Sequence, residues 1–124
     1  MSLILIVEDN EKNLKLGRDV LQVKGYETLE AGTAEDGIKI ARDRMPNLIL
    51  MDIQLPGMSG IEALKALRAE PATAAIPVVA ITASVMQQDR QQIISAGFDG
   101  FIEKPINLRG LLETVQQAAR GRKA

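Results

Sequence analysis

The sequence predicts a single α/β domain: a five-stranded parallel sheet, doubly wound, with helices on both faces. Three observations predict it. Residues 3–7, 48–51 and 78–81 are short, unbroken apolar runs, the pattern of strands buried on both faces, and such strands belong to parallel sheets. Segments of helical period separate them, so strand and helix alternate along the chain. Each run also stops on polar chemistry: Glu8 and Asp9, Asp52, Thr82, and Lys104 just past the short run Phe101-Ile102.

The elements follow in order. After the first strand, residues 10–24 place Leu16, Gly17, Val20 and Leu21 on one helical face, and Gly25 is a good stop. The second strand, Tyr26-Glu27-Thr28-Leu29-Glu30, is less apolar than the others, as an edge strand would be. Thr33, with Asp36 three residues on, opens a helix to about Arg44, and Met45-Pro46-Asn47 breaks it before the third strand. The segment Leu55-Pro56-Gly57-Met58-Ser59-Gly60 is a turn-rich loop, and Ser59 with Glu62 opens a helix to about Arg68. Pro71 and Pro77 bracket a loop before the fourth strand. Ser84 is placed to cap a fourth helix that Gly97 closes, residues 100–102 form a short fifth strand, and Asn107 caps a last helix with Leu108, Leu111, Leu112 and Val115 on one side. Residues 1–119 form the domain and 120–124 read as a solvated basic tail. The result is (βα)₅ in the flavodoxin-like strand order 2-1-3-4-5, which reverses direction between strands 1 and 3; Asp9 and Asp52 flank the crevice there.

Composition narrows the chemistry. The 124 residues suffice for one domain with a real core. Net charge is −1, from 15 Lys plus Arg against 16 Asp plus Glu, so no global attraction to nucleic acid or an anionic membrane is expected. No apolar run approaches the roughly 20 residues that cross a bilayer, and no signal-like stretch precedes the first strand, so a cytoplasmic protein is expected. Cysteine and histidine are both absent. Thiolate nucleophiles, Ser-His triads, imidazole bases and Cys- or His-ligated metals are thereby excluded. Carboxylates, hydroxyls and lysines remain.

In an open parallel sheet, ligands bind outside the carboxyl ends of the strands. Four strand ends would bring three carboxylates, one hydroxyl and one ammonium to one edge. Carboxylates hold a hard cation, and cation, ammonium and hydroxyl suit a phosphoryl group, so the set reads as a magnesium-assisted phosphoryl-transfer site.

Four stretches carry a resemblance to a known family: Val7-Glu8-Asp9-Asn10, residues 51–60 beginning Met51-Asp52, Ile81-Thr82-Ala83, and Glu103-Lys104-Pro105-Ile106. In this order and on these strand ends, the chain resembles the receiver domain of two-component response regulators (the CheY-like superfamily) over essentially its whole length. The Glu-Asp-Asn start, Asn13 and the lack of an output segment are most similar to the stand-alone DivK type. The resemblance implies that Asp52 is the phosphoacceptor. It implies that Asp9, Asp52 and the Gln54 backbone carbonyl ligate Mg²⁺, with Glu8 acting mainly through water. Thr82 and Lys104 would contact the phosphoryl group, and Lys104–Pro105 is a candidate cis peptide. Phe101 stands at the family's switch aromatic, where many relatives have Tyr, so coupling would rest on packing alone. Expected partners are a sensor histidine kinase or histidine phosphotransfer protein, and a downstream kinase or effector. Leu14, off the centre of the first helix's apolar face, is a candidate contact for the phosphodonor. The chain is expected to be a monomer, with a weak homodimer as the alternative, and a phosphoacceptor rather than an enzyme.

Three other readings compete. A haloacid-dehalogenase-like phosphatase uses a strand-end Asp with Mg²⁺ but needs a second Asp where Gln54 stands, and Gln cannot shuttle a proton. A flavin- or nucleotide-binding domain needs a phosphate-cradling glycine loop that no strand here precedes. A non-phosphorylated pseudo-receiver would not need all five site positions filled.

Overall fold

The computed structural model describes residues 3–83, 87–104 and 108–121. Its elements run β1 (Leu3–Val7), α1 (Glu11–Val23), β2 (Glu27–Ala31), α2 (Ala34–Arg44), β3 (Leu48–Asp52), α3 (Gly60–Ala69), β4 (Val78–Thr82), α4 (Gln87–Ala96), β5 (Gly100–Glu103) and α5 (Leu108–Gly121). The five strands form one parallel sheet in the order β2-β1-β3-β4-β5. That is the expected order, with β2 and β5 at the edges.

Alternation along buried strands divides the core in two. Leu5 and Val7 of β1, with Ile49 and Met51 of β3, face one way and pack with Ala41, Ala63, Leu64 and Leu67 of α2 and α3. Ile4 and Ile6, with Leu48 and Leu50, face the other way and meet Leu21 of α1 and Leu111 and Val115 of α5. Both layers are continuous because β1, β3 and β4 are covered on both faces.

The sequence places the helix starts well. Asn10 caps α1, its side chain accepting from the backbone N–H groups of Lys12 and Asn13. Thr33 caps α2 by accepting from the N–H of Asp36. Ser59 and Glu62 form a reciprocal capping box on α3. α2 ends on Met45 with φ 48°, a left-handed cap that leads into Pro46. The expected caps Ser84 and Asn107 lie outside the described residues, as does Pro105 and its peptide bond.

Three details differ from the sequence reading. Leu16 is not part of the buried face of α1: it is 40% exposed. The buried stripe is centred on Gly17 and Leu21, with Gly17 facing Ile6 of β1, and Leu16 is turned about 100° away from Gly17. Leu14 and Val20 flank the stripe instead, partly buried against the α1/α5 core. Second, β2 runs one residue later than expected, because Ala31 is buried and its carbonyl receives the N–H of Glu8. Third, α5 continues to Gly121, two residues into the segment expected as tail.

Arg68, at the end of α3, closes the lower edge of the sheet. Its guanidinium donates to the carbonyls of Ala74 and Ile76 and pairs with Asp99 at 3.0 Å, while Asp99 also accepts from the N–H of Val78. One side chain thus fixes the loop into β4 and the turn into β5.

Gly60, the first residue of α3, lies directly under the end of β3. A Cβ there would overlap the Asp52 carbonyl oxygen and stand 2.9 Å from the Ile53 Cα, both backbone atoms that cannot swing aside. Gly60→Ala is therefore expected to destabilise the fold by about 1–3 kcal/mol, read as a lower urea midpoint with an unchanged m-value.

Candidate functional site

Four strand ends converge at the C-terminal edge of the sheet. Glu8 and Asp9 follow β1, Asp52 ends β3, Thr82 ends β4, and Lys104 follows β5. Backbone bonds lock these ends together: Glu8 N–H donates to Ala31, Ile53 N–H to Ile81, and Lys104 N–H to the Thr82 carbonyl at 2.7 Å. Glu8, Asp9, Asp52 and Lys104 come together there, and Thr82 stands at the end of the neighbouring strand.

Their environments differ. Glu8 and Asp52 are buried, 1% and 2% exposed, and Thr82 is buried as well. Asp9 is exposed. One carboxylate oxygen from each of Glu8, Asp9 and Asp52 lies within 4.8 Å of the other two. Lys104 Nζ sits 3.0 Å from Asp52 Oδ2 and 3.3 Å from Glu8 Oε1. Asp52 Oδ1 accepts from the backbone N–H of Gln54 at 3.0 Å, so both of its oxygens are held. Glu8 Oε1 also accepts from Asn13 Nδ2 at 3.1 Å, whereas Glu8 Oε2 is buried with no hydrogen-bond donor.

A buried carboxylate oxygen without a donor is costly, and crowding by a second carboxylate adds to the cost. Burial, followed by the contact with Asp52, raises the Glu8 pKa to about 7; the Asn13 hydrogen bond and the Lys104 charge act against that rise. The contact with Asp52 becomes a hydrogen bond only when Glu8 carries a proton. Burial works against the charged form of Lys104, but the bonds and charges of Asp52 and Glu8 outweigh it, and its pKa is raised. The ammonium is firmly held. The oxygen-only donor set and the orphaned Glu8 oxygen fit a hard divalent cation, whose charge would replace that proton.

The two remaining predicted residues lie further out. Phe101 is partly buried against the core layer beneath α3 and α4. Leu14 is partly buried and borders a surface hollow with Glu11, Lys15, Arg18 and Glu30. Two residues that sequence reasoning did not assign to the site belong beside it. Asn13 bonds Glu8; its signal is its place in the first turn of a helix capped by Asn10. Gly60 supports Asp52; its signal is a glycine where helix formers are preferred.

Comparison with known proteins agrees with this geometry. The sequence profile of the response regulator receiver domain matches residues 4–116. The polar-differentiation response regulators DivK of Brucella ovis and Brucella abortus are each 42% identical over 113 residues, covering 91% of this chain and 92% of theirs. Vibrio cholerae chemotaxis protein CheY4 superposes with a TM-score of 0.89 at 27% identity, covering 95% of this chain and 98% of its own. The receiver domain of a Pseudomonas aeruginosa sensor histidine kinase, with a magnesium ion coordinated in its active-site cleft, superposes with a TM-score of 0.88 at 28% identity, covering 96% and 98%. Neither the phosphatase nor the pseudo-receiver alternative finds support in these matches.

The raised Glu8 pKa fixes a pH dependence. Between the ordinary value of 4.5 and about 7, the metal-free folded chain holds a proton on Glu8 that the unfolded chain has released. Glu8's contribution to stability therefore falls as pH rises through that window, by at most about 1.4 kcal/mol per pH unit, and levels off above it. Urea unfolding of wild type and Glu8→Gln across this range should show the slope in their difference. A flat difference would remove the assignment.

Proposed function

Because the chain belongs to the response regulator receiver domain family, we propose that it is phosphorylated on Asp52 and thereby switches a partner-binding surface. The observation that carries the proposal is the setting of Asp52. It is buried, pinned through one oxygen by the Gln54 N–H and through the other by Lys104, with the carboxylates of Glu8 and Asp9 beside it.

With no histidine in the chain, the donor is a phosphohistidine on a sensor kinase or a histidine phosphotransfer protein, or a small acyl phosphate. An Asp52 oxygen attacks phosphorus, the P–N bond breaks with its electron pair left on the donor imidazole, and an aspartyl phosphate forms. Asp9, Asp52 and the Gln54 carbonyl, with Glu8 behind them, would hold Mg²⁺, which when bound offsets the negative charge of the phosphoryl oxygens. Lys104 moves from Asp52 Oδ2 to a phosphoryl oxygen, a short displacement given their 3.0 Å contact. The Thr82 hydroxyl donates to another oxygen. Its backbone already holds Lys104, so movement at β4 and β5 is shared. Phe101, in register with Ala80 of β4, then packs further inward and reshapes the α4–β5–α5 face.

In this reading the chain is a phosphoacceptor that assists its own phosphorylation and dephosphorylation, not an enzyme with an outside substrate. It works in the cytoplasm, chiefly as a monomer. Among the described residues, no helix is long and apolar enough to cross a membrane. In this reading a downstream kinase or effector protein reads the switched face.

Incubation with acetyl phosphate and Mg²⁺ is expected to add one labile phosphoryl group to wild type, seen by intact mass. Asp52→Asn and a metal-free control should show none. An equal gain in Asp52→Asn would overturn the assignment. For the donor surface, Leu14→Asp is expected to slow transfer from a phosphohistidine protein at least tenfold more than modification by acetyl phosphate. Equal slowing would show that Leu14 serves only packing.

A further inference from the structure

We propose that Asn13 is a positioning residue for the cation site, steering the carboxylate of Glu8 through its side-chain amide. The proposal rests on the reading of Glu8, Asp9 and Asp52 as a Mg²⁺ site.

Glutamate carries one more rotatable bond than aspartate, so a Glu at this strand end reaches further and is harder to fix in one orientation. Two donors fix it here, both on Oε1: Asn13 Nδ2 at 3.1 Å and Lys104 Nζ at 3.3 Å. That leaves Oε2 buried and without a donor, the oxygen available to a cation or to water bound on one. The two donors are not equivalent. Lys104 is shared with Asp52 and is claimed by the phosphoryl group once Asp52 is modified. Asn13 has no such competing claim among the described hydrogen bonds of its side chain, so it keeps Glu8 aimed through the whole cycle.

The local fold makes Asn13 suited to this. Asn10 accepts from the N–H of Asn13 at 3.2 Å and from that of Lys12, which fixes the first turn of α1. That turn carries residue 13 back over the end of β1, five residues after Glu8. The neutrality of the amide also matters. A lysine or arginine here would hold Glu8 equally well, but its charge would compete with the cation. An amide orients the carboxylate and leaves the negative charge of the cluster intact. Outer-shell hydrogen bonds of this kind are typically worth about 10–100-fold in metal affinity.

The test is isothermal titration of Mg²⁺ into the metal-free protein, for wild type, Asn13→Leu, Asn13→Ala, Glu8→Gln and the double variant Glu8→Gln/Asn13→Leu. Urea midpoints without metal establish that each variant is folded. Asn13→Leu and Asn13→Ala should each weaken Mg²⁺ binding about tenfold or more. In the Glu8→Gln background, the same Leu substitution should change affinity less than about twofold, because its effect runs through Glu8. Single variants that bind Mg²⁺ as wild type does would overturn the inference. So would an undiminished loss in the Glu8→Gln background, which would mark a general disturbance of α1. Wild type that binds no Mg²⁺ would overturn the cation reading itself, and this inference with it.

Discussion

Three carboxylates crowd one end of the sheet, and a single ammonium is set among them. Two unit charges about 4 Å apart repel by about 4 kcal/mol at an effective dielectric of about 20. Glu8 and Asp52 are almost fully removed from water, which weakens the usual relief by solvent. Lys104 answers part of this by bridging the two buried acids, and the proton favoured on Glu8 answers more. What is left is a site that gains from a divalent cation and then from a phosphoryl group carrying charge that the cation and ammonium can meet. The tension has consequences because the strands cannot move apart to relax it.

The scaffold explains why they cannot. β1, β3 and β4 are buried on both faces, with apolar layers above and below, so each strand end has one position set by the sheet register. Gly60 brings α3 against the Asp52 backbone at a distance that no other residue would allow. At the opposite edge, Arg68 and Asp99 tie the loops entering β4 and β5. Rigidity below and crowded charge above are complementary: the first lets the second persist.

The same rigidity gives the proposed switch a route outward. Thr82 and Lys104 come from adjacent strands and share a backbone hydrogen bond, so a group that draws on both pulls on β4 and β5 together. Phe101 lies on β5, partly buried against the α3/α4 layer. Beyond it, α4 presents Gln91, Gln92 and a 65% exposed Ile94 to solvent, while Ile93 is buried.

The strands, their order and the polar residues at the strand ends were legible in the sequence because they obey local rules. Unbroken apolar runs specify buried parallel strands, and the residue after each run must appear at the sheet's carboxyl edge. Caps such as Asn10, Thr33 and Ser59 act within three residues of themselves, so they too were readable. The rest depends on contacts between distant segments. Leu16 turns to solvent because the buried stripe of α1 is centred where Gly17 meets Ile6 on β1. The near-complete burial of Glu8, its proton near neutral pH, its bond to Asn13 and the seat of Gly60 under Asp52 all arise from packing. The sequence by itself determined which chemical groups reach the edge. Only the tertiary structure decided which of them lose water, which share a donor and which is left without one, because desolvation and hydrogen-bond geometry depend on neighbours that periodicity does not encode.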